Sequence, residues 1–403
     1  MTMNLYNHEK MLERQIVIVK ESDISDENKD LILQFKDYLL SDGIGIAKIA
    51  RYIVELRKLA SMHTNSLKEA DEKALRKVVA VIEQGSLAPQ TKKLFKIAIR
   101  KFYRFIRGIT EKGVYPPEVK WISIAIAEKN NKLPEDLLNE EEIKSVIRAC
   151  RNVRDKALIS VLAESGCRVS EIGLMKIKQI SFDEYGARLS VTGKTGARRI
   201  LVISSVPYLT SWLNEHPNND DPEAYLWYNP QDGKFLCYTR IADILKASTR
   251  RAGIKKKVHP HLLRHSRATI LAPIMSESAM KQYFGWTQSS KMASIYIHLS
   301  GKDTDEAILR ANGIVVRKEK TQFFLKPMKC ERCKTINEPT NKFCKTCSFV
   351  LDEESRKEAL KKESQRMEVN NLMDEIVKDK EILELMMKKI KEVKQEKLDY
   401  GKV

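Results

Sequence analysis

Apolar residues recur at helical spacing through most of this sequence, and that periodicity restricts the fold more than any other feature. Segments such as DENKDLILQFKDYLLSDG and RDKALISVLAESG place apolar residues three and four positions apart, as helices packed on a core do. Alternation typical of strands is clear in one place, GARLSVTG followed by ARRILVIS around the turn GKTG. We therefore expect a mainly α chain with one small β-hairpin.

The length predicts several domains, because 403 residues, 42% of them hydrophobic, exceed what one core needs. Residues 1–126 are predicted to form an all-α unit. A stretch rich in Pro, Asn and Lys predicts a linker at 127–133. An α+β domain follows at 134–312, then a cysteine-rich segment at 326–350 and a charged helical tail at 351–403.

The charge balance indicates a polyanionic partner. Lys and Arg total 72 against 54 acidic residues, a net charge of +18, which is typical of nucleic-acid-binding proteins. No apolar run approaches the roughly 18 residues of a membrane span, and the first residues, MTMNLYNHEK, lack the apolar core of a signal peptide. We expect a cytoplasmic protein with no membrane partner.

One predicted helix, QTKKLFKIAIRKFYRFIRG, concentrates basic residues away from its apolar side. Its own sequence contains no acid, so we expect the basic face to contact DNA phosphates, although a plain solvated face is the alternative. The basic residues are Lys93, Lys96, Arg100, Arg104 and Arg107.

Four further fragments carry residues suited to phosphoryl chemistry: ESGCRVSEIGLM, VTGKTGARR, HPHLLRHSRAT and YFGWTQSSKMASIYIHLS. Arginine forks match phosphate oxygens, a tyrosine can attack phosphorus once a base helps its phenol, and lysine or histidine can transfer the protons. The combination suggests phosphoryl transfer that requires no cofactor. The candidate residues are Arg168, Lys194, His261, Arg264, Trp286 and Tyr296.

These ordered motifs resemble the tyrosine recombinase (phage integrase) family. The resemblance extends over roughly residues 133–310, and the preceding helices are similar to the core-binding domain of that family. It implies that Arg168 and Arg264 bind the scissile phosphate and that Tyr296 attacks it.

The same resemblance implies that Lys194 is the general acid and His261 a general base or proton relay. Trp286 would position the substrate at a place where the family often has histidine. The step of ten residues from Trp286 to Tyr296 is one longer than the family pattern leads us to expect. Glu171, three residues after Arg168, would orient an arginine.

The resemblance implies a site-specific recombinase or integrase that cuts and rejoins DNA through a 3′-phosphotyrosine, as a homo-tetramer on paired double-stranded sites. We expect it to serve a mobile element. The alternatives are an Xer-like chromosome dimer resolvase, a type IB topoisomerase, and a non-catalytic DNA-binding regulator on a recombinase scaffold.

The segment CERCKTINEPTNKFCKTC contains two C-x-x-C pairs ten residues apart, formed by Cys330, Cys333, Cys344 and Cys347. Paired knuckles of this kind close a tetrahedral Zn²⁺ site, whereas a redox dithiol would leave the second pair unexplained. We expect a structural zinc ribbon that folds on its metal separately from the catalytic core. The tail that follows has apolar residues at helical spacing, and we expect it to self-associate or to dock on its own catalytic domain.

Overall fold

The computed structural model describes residues 5–63, 65–125, 136–193, 195–300, 326–351 and 353–378, with isolated positions near 310 and 385. The chain divides into two compact units, residues 1–136 with 236–240, and residues 137–235 with 241–403. The predicted linker 127–133 lies outside the described residues.

The first unit is helical around a core of aromatic and aliphatic side chains. Its helices are α1 (His8–Glu21), α2 (Asp26–Ser41), α3 (Ile46–Met62), α4 (Glu72–Gln84), α5 (Pro89–Ile106) and the single turn α6 (Pro117–Lys120). Ser25 and Asp71 cap the first turns of α2 and α4, so unpaired N–H groups find acceptors. Phe35 and Phe102 meet edge to face in the core, with ring centroids 5.3 Å apart.

The second unit holds helices around a central buried one. In chain order they are α7 (Glu140–Arg148), α8 (Val153–Ser165), α9 (Val169–Gly173), α10 (Val206–Glu215), α11 (Tyr238–Arg251), α12 (Pro260–Leu271), α13 (Glu277–Phe284) and α14 (Met292–Ser300). Asn139 and Glu142 form a capping box at the start of α7. Most residues of α8 are buried, and α7, α10 and α12 pack against it. A helix buried on all its faces in this way lies at the centre of a domain, and its polar side chains there find partners within the protein, as Glu164 does at Ser205.

A three-stranded antiparallel sheet lies beside these helices, with β1 (Ile180–Asp183), β2 (Gly186–Gly193) and β3 (Gly196–Val202) in that order. The predicted hairpin is confirmed, since β2 pairs with β3 down to Gly193 opposite Gly196. β1 was not predicted. It is a mostly exposed edge strand of four residues, ISFD, and this run is too short for its alternation to have indicated a strand.

The cysteine-rich segment contains a two-stranded antiparallel sheet, β4 (Met328–Lys329) and β5 (Ile336–Asn337). The charged segment forms a helix, α15 (Glu353–Lys378). Among the helices in the described part of the chain, none is long and apolar enough to cross a membrane.

Candidate active site

Arg168 lies at the N-cap position, just before α9, and both its backbone and its guanidinium are held by hydrogen bonds. Its backbone N–H donates to Glu171 Oε2 at 2.8 Å, and its Nη1 donates to Glu171 Oε1 at 2.9 Å. Its Nη2 donates to the carbonyl oxygen of Gly285 at 2.9 Å. The Arg168 side chain keeps 28% of its surface exposed, so the guanidinium is held in one orientation but is open to a ligand.

Arg198 on β3 holds the same carboxylate from the other side. Its Nη2 and Nη1 lie 2.7 and 3.0 Å from the two Glu171 oxygens, and its Nε donates to the carbonyl of Tyr283 at 2.9 Å. Burial alone would raise the pKa of Glu171, but the hydrogen bonds and charges of Arg198 and Arg168 outweigh it and lower that pKa. Glu171 is therefore ionised and orients Arg168.

Two glycines make this arrangement possible. Gly285 ends α13 with φ +60°, and a Cβ there would lie 2.7 Å from Arg198 Nη1. At Gly193, a Cβ would overlap Glu171 Oε1. The hairpin and the end of α13 thus approach the arginine–glutamate cluster more closely than any side chain allows.

Arg264 on α12 lies buried behind this cluster, with 4% of its surface exposed. It donates to the carbonyl oxygens of Gly166 at 3.0 Å and Phe284 at 2.6 Å. Burial, and next the positive charge of Arg168, lower the pKa of Arg264 to about 10. Two guanidiniums that disfavour each other are a suitable environment for an anion, because a bound phosphate would offset both charges.

Tyr296 on α14 lies in the same site and is 4% exposed. Its ring stacks parallel to Trp286, with centroids 5.7 Å apart, and its hydroxyl contacts His265 Nδ1. Burial raises the pKa of Tyr296 to about 12, against the opposing effect of Arg264. The extra residue between Trp286 and Tyr296 therefore still leaves the tyrosine packed in the site.

His261, the predicted base, is exposed on α12, and its ring centroid is 5.5 Å from that of His265. Lys194, the predicted general acid, lies outside the described residues. Its neighbour Thr195 donates from its hydroxyl to the Gly285 carbonyl at 2.9 Å, which attaches the hairpin to the end of α13. The structure thus brings together Arg168, Arg264, Trp286 and Tyr296. His261 lies beside His265, which is the residue that contacts the Tyr296 hydroxyl.

Comparison with known proteins indicates a family for part of the chain. Residues 136–302 match the phage integrase family. We refer to residues 136–302 below as the integrase domain, after the family that they match. Over 292 residues the chain is 27% identical to the tyrosine recombinase XerD of Bifidobacterium longum, a match that covers 67% of this chain and 92% of XerD.

Two solved structures show that the integrase domain and its neighbouring helices have a tyrosine-recombinase-like fold. XerH bound to a palindromic difH substrate is similar with a TM-score of 0.55 and 22% identity, covering 76% of this chain and 96% of XerH. A lambda integrase tetramer bound to a Holliday junction is similar with a TM-score of 0.51 and 15% identity, covering 66% of this chain and 76% of that one.

Two residues of the integrase domain site were missed by the sequence analysis, Arg198 and His265 as the partner of Tyr296. A signal for Arg198 exists, because residues 198, 200 and 202 share one face of β3 and Ile200 and Val202 are buried. An arginine on the inward face of a strand indicates a buried acidic partner. No comparable signal distinguishes His265 from His261.

The basic face of α5, in the other unit, is less free of acid than its sequence indicates. Lys96 forms an ion pair with Glu83 at 2.7 Å, and Arg107 with Glu118 at 2.6 Å. The helix itself contains no acid, but acidic side chains reach its basic face from α4 and α6.

The other basic side chains of α5 also contact the protein or lie partly buried. Arg100 lies over the ring of Tyr115, 3.6 Å from its centroid, and Arg104 Nη2 donates to the Glu111 carbonyl at 2.7 Å. Lys93 is half-buried. Contact between this face and DNA stays a prediction.

A second basic surface lies in the integrase domain, between the end of α11 and the start of α12. It surrounds a hollow of about 460 Å³. Lys256 points inward and pairs with Glu142 at 2.8 Å. The exposed members are Lys246, Arg250, Lys255 and Lys257. The surface leads directly into the helix that carries Arg264.

The four cysteines of the predicted ribbon converge, with all sulfur atoms within 4.8 Å of one another. Cys330 and Cys347 have sulfurs 3.6 Å apart, and Cys333 and Cys344 have sulfurs 3.4 Å apart. Around a tetrahedral Zn²⁺ with bonds of about 2.3 Å, sulfurs are about 3.8 Å apart. The cluster therefore fits a four-coordinate metal ion.

The cysteine-rich segment contacts α10 of the integrase domain, whereas its folding separately on a metal ion stays a prediction. The hydroxyls of Tyr208, on α10, and Thr340 are hydrogen-bonded at 2.7 Å, and both residues are buried. Ser211 of α10 donates to Glu338 at 3.4 Å. These contacts have a simple cause, since a segment this short leaves polar backbone and side-chain groups that need partners from a larger domain.

Proposed function

We propose that this protein is a site-specific DNA recombinase that cuts and rejoins strands through a covalent 3′-phosphotyrosine at Tyr296. The observation that carries this proposal is the placement of the Tyr296 phenol beside an imidazole and close to Arg264, in a site that also contains Arg168. A nucleophile, a proton acceptor and two guanidiniums are the groups that attack on a phosphodiester requires.

The arginines act on the phosphate. Arg264 and Arg168 are both held by carbonyl oxygens at the end of α13, Phe284 and Gly285, so their mutual position is set before DNA binds. Charge grows on the non-bridging oxygens as phosphorus becomes five-coordinate, and fixed guanidiniums stabilise that charge without reorganising. Arg198, through Glu171, keeps Arg168 in place.

The products follow from the attack. The Tyr296 oxygen bonds to phosphorus while the bond to the 5′ oxygen breaks, and Lys194, by resemblance, protonates that oxygen. The hydroxyl of a second strand then reverses the step on the phosphotyrosine. Because one phosphoester replaces another, the bond energy is retained, and the exchange requires neither ATP nor a metal ion for the chemistry.

The test uses a duplex nicked beside the cleavage site, from which the short 5′ fragment diffuses away and leaves the protein attached. We expect wild type to give a covalent band on a denaturing gel and Tyr296→Phe to give none while still binding DNA. Tyr283→Phe is the matched control, since it removes another largely buried phenol, one that donates to the Glu164 carbonyl at 3.3 Å and also interacts with Arg267. A covalent band from Tyr296→Phe would refute the assignment.

We further propose that double-stranded DNA at specific paired sites is the partner and that four copies assemble there. The similarity in fold to a lambda integrase tetramer on a Holliday junction supports this assembly. Sedimentation of the protein with two sites on one duplex should give a complex of four chains, and a complex that never exceeds two chains would contradict it.

The cysteine cluster is proposed to hold one structural Zn²⁺. Four thiolates fill a tetrahedral site, so the ion would have no open position for substrate. Cys330, Cys333, Cys344 and Cys347 would be the ligands, and the metal would stabilise the ribbon that contacts α10. Elemental analysis of freshly purified protein should find one zinc per chain.

A further inference from the structure

The hydrogen-bond partner of the Tyr296 phenol is His265, the residue after Arg264 on α12. The Tyr296 hydroxyl contacts His265 Nδ1, and the two ring centroids are 5.9 Å apart. His261, four residues earlier on the same helix, has its ring centroid 5.5 Å from that of His265 and is exposed. His265 therefore stands between the nucleophile and the histidine that the family resemblance selects as base.

His265 Nδ1 is placed to accept the proton of the Tyr296 phenol. The Tyr296 ring is 4% exposed and lies parallel to Trp286 at an interplanar angle of 2°, so the phenol oxygen is held beside His265 Nδ1. Burial raises the pKa of Tyr296 to about 12, and the phenol therefore keeps its proton at neutral pH unless an acceptor takes it during attack.

Three groups lie around the contact. His261 lies on the same helix, the Tyr296 phenol comes from α14, and the Arg264 guanidinium lies close enough to affect that phenol. In a neutral imidazole, Nδ1 can accept a hydrogen bond while Nε2 carries the proton.

We propose that His265 is the general base of strand cleavage and that His261 passes the proton on to solvent. This inference rests on the proposed recombinase function. The O–H bond of Tyr296 breaks as its oxygen bonds to phosphorus, the proton moves to His265 Nδ1, and the electron pair of the broken phosphoester leaves with the 5′ oxygen. In the rejoining step a proton returns along the same path, from solvent through His261 to His265, and His265 Nδ1 donates it to the departing phenolate.

The kinetic test measures single-turnover formation of the covalent complex on the nicked duplex as a function of pH. In wild type the rate should rise through the range in which imidazoles titrate and then level. His265→Gln should be slower at neutral pH by about 10²–10⁴-fold, the usual contribution of a positioned base. Its rate should then climb steadily with pH, because hydroxide replaces the lost acceptor.

His261→Gln is the matched control, since it removes an imidazole one helical turn away. It should keep the imidazole inflection and lose less rate than His265→Gln. Unchanged non-covalent binding of the nicked duplex by both variants shows that they are folded. The proposal is overturned if His265→Gln keeps the wild-type profile, or if the inflection disappears in His261→Gln alone.

A second measurement needs no catalysis, so it separates failure of this inference from failure of the proposed function. Nitrogen-15 NMR of histidine-labelled protein without DNA should show His265, assigned by its absence in His265→Gln, with Nδ1 as hydrogen-bond acceptor. Tyr296→Phe should shift that resonance and leave the other histidines in place. A His265 resonance that does not respond to Tyr296→Phe would show that the contact does not exist.

Discussion

Replacing Arg198 with Met tests whether the ion pair between Arg198 and Glu171 stabilises the protein by its charge or only by packing. Arg198 donates two hydrogen bonds to Glu171, whose side chain is 1% exposed, and one to the Tyr283 carbonyl. Breaking a buried ion pair from one side costs about 3–5 kcal/mol. Because Arg168 still contacts Glu171 in the variant, we expect the low end of that range, about 3 kcal/mol of unfolding free energy at neutral pH.

The loss should depend on pH in a definite direction. The pKa of Glu171 in the folded protein lies below its ordinary 4.5, so the stability that the carboxylate contributes is complete above that value and disappears as pH falls through the lower, folded pKa. Arg198→Met removes the largest lowering influence and leaves burial to raise the pKa. The difference between wild type and variant should therefore shrink from pH 7 towards acid.

The assay is denaturant unfolding at several pH values, together with the rate of covalent complex formation, which should fall because Arg168 loses its fixed partner. Arg199→Met is the control, since this neighbour is exposed on the same strand. The reasoning is refuted if the two variants lose equal stability, or if the Arg198→Met loss is the same at pH 7 and in acid.

Two further predictions concern the ribbon and the second basic surface. Chelation of zinc, or Cys344→Ser, should lower the unfolding midpoint of the integrase domain as well as that of the ribbon. An unchanged midpoint of the integrase domain on chelation would show that the ribbon folds independently. Tyr208→Phe should lower the free energy of unfolding by about 1–3 kcal/mol, because it leaves the buried Thr340 hydroxyl unpaired. Reversing Lys255 and Lys257 to Glu should flatten the slope of log affinity against log salt for non-specific DNA, and an unchanged slope would place this surface away from DNA.

Local patterns predicted much of this molecule. The helices, the hairpin and the cysteine pairs follow from short-range spacing, and the order of motifs selected Arg168, Arg264 and Tyr296. Other features depend on residues outside the segment that carries the pattern. Glu83 and Glu118 reach the basic helix from other helices.

The choice between His261 and His265 is of the same kind. Both residues lie on α12, and their relation to the nucleophile is decided by how α14 packs against that helix. Helical spacing predicts which residues share a face, but it does not predict what a helix about thirty residues later brings to that face.

The most direct test of the account identifies the amino acid that becomes bonded to DNA. Wild-type protein would be trapped on the nicked duplex, the DNA trimmed by nuclease, and the protein digested and analysed by mass spectrometry. We predict that a nucleotide 3′-phosphate is found on the peptide containing Tyr296 and on that residue within it. A stable adduct on any other residue, or trapped DNA that carries a 5′-phosphate link, would contradict the mechanism.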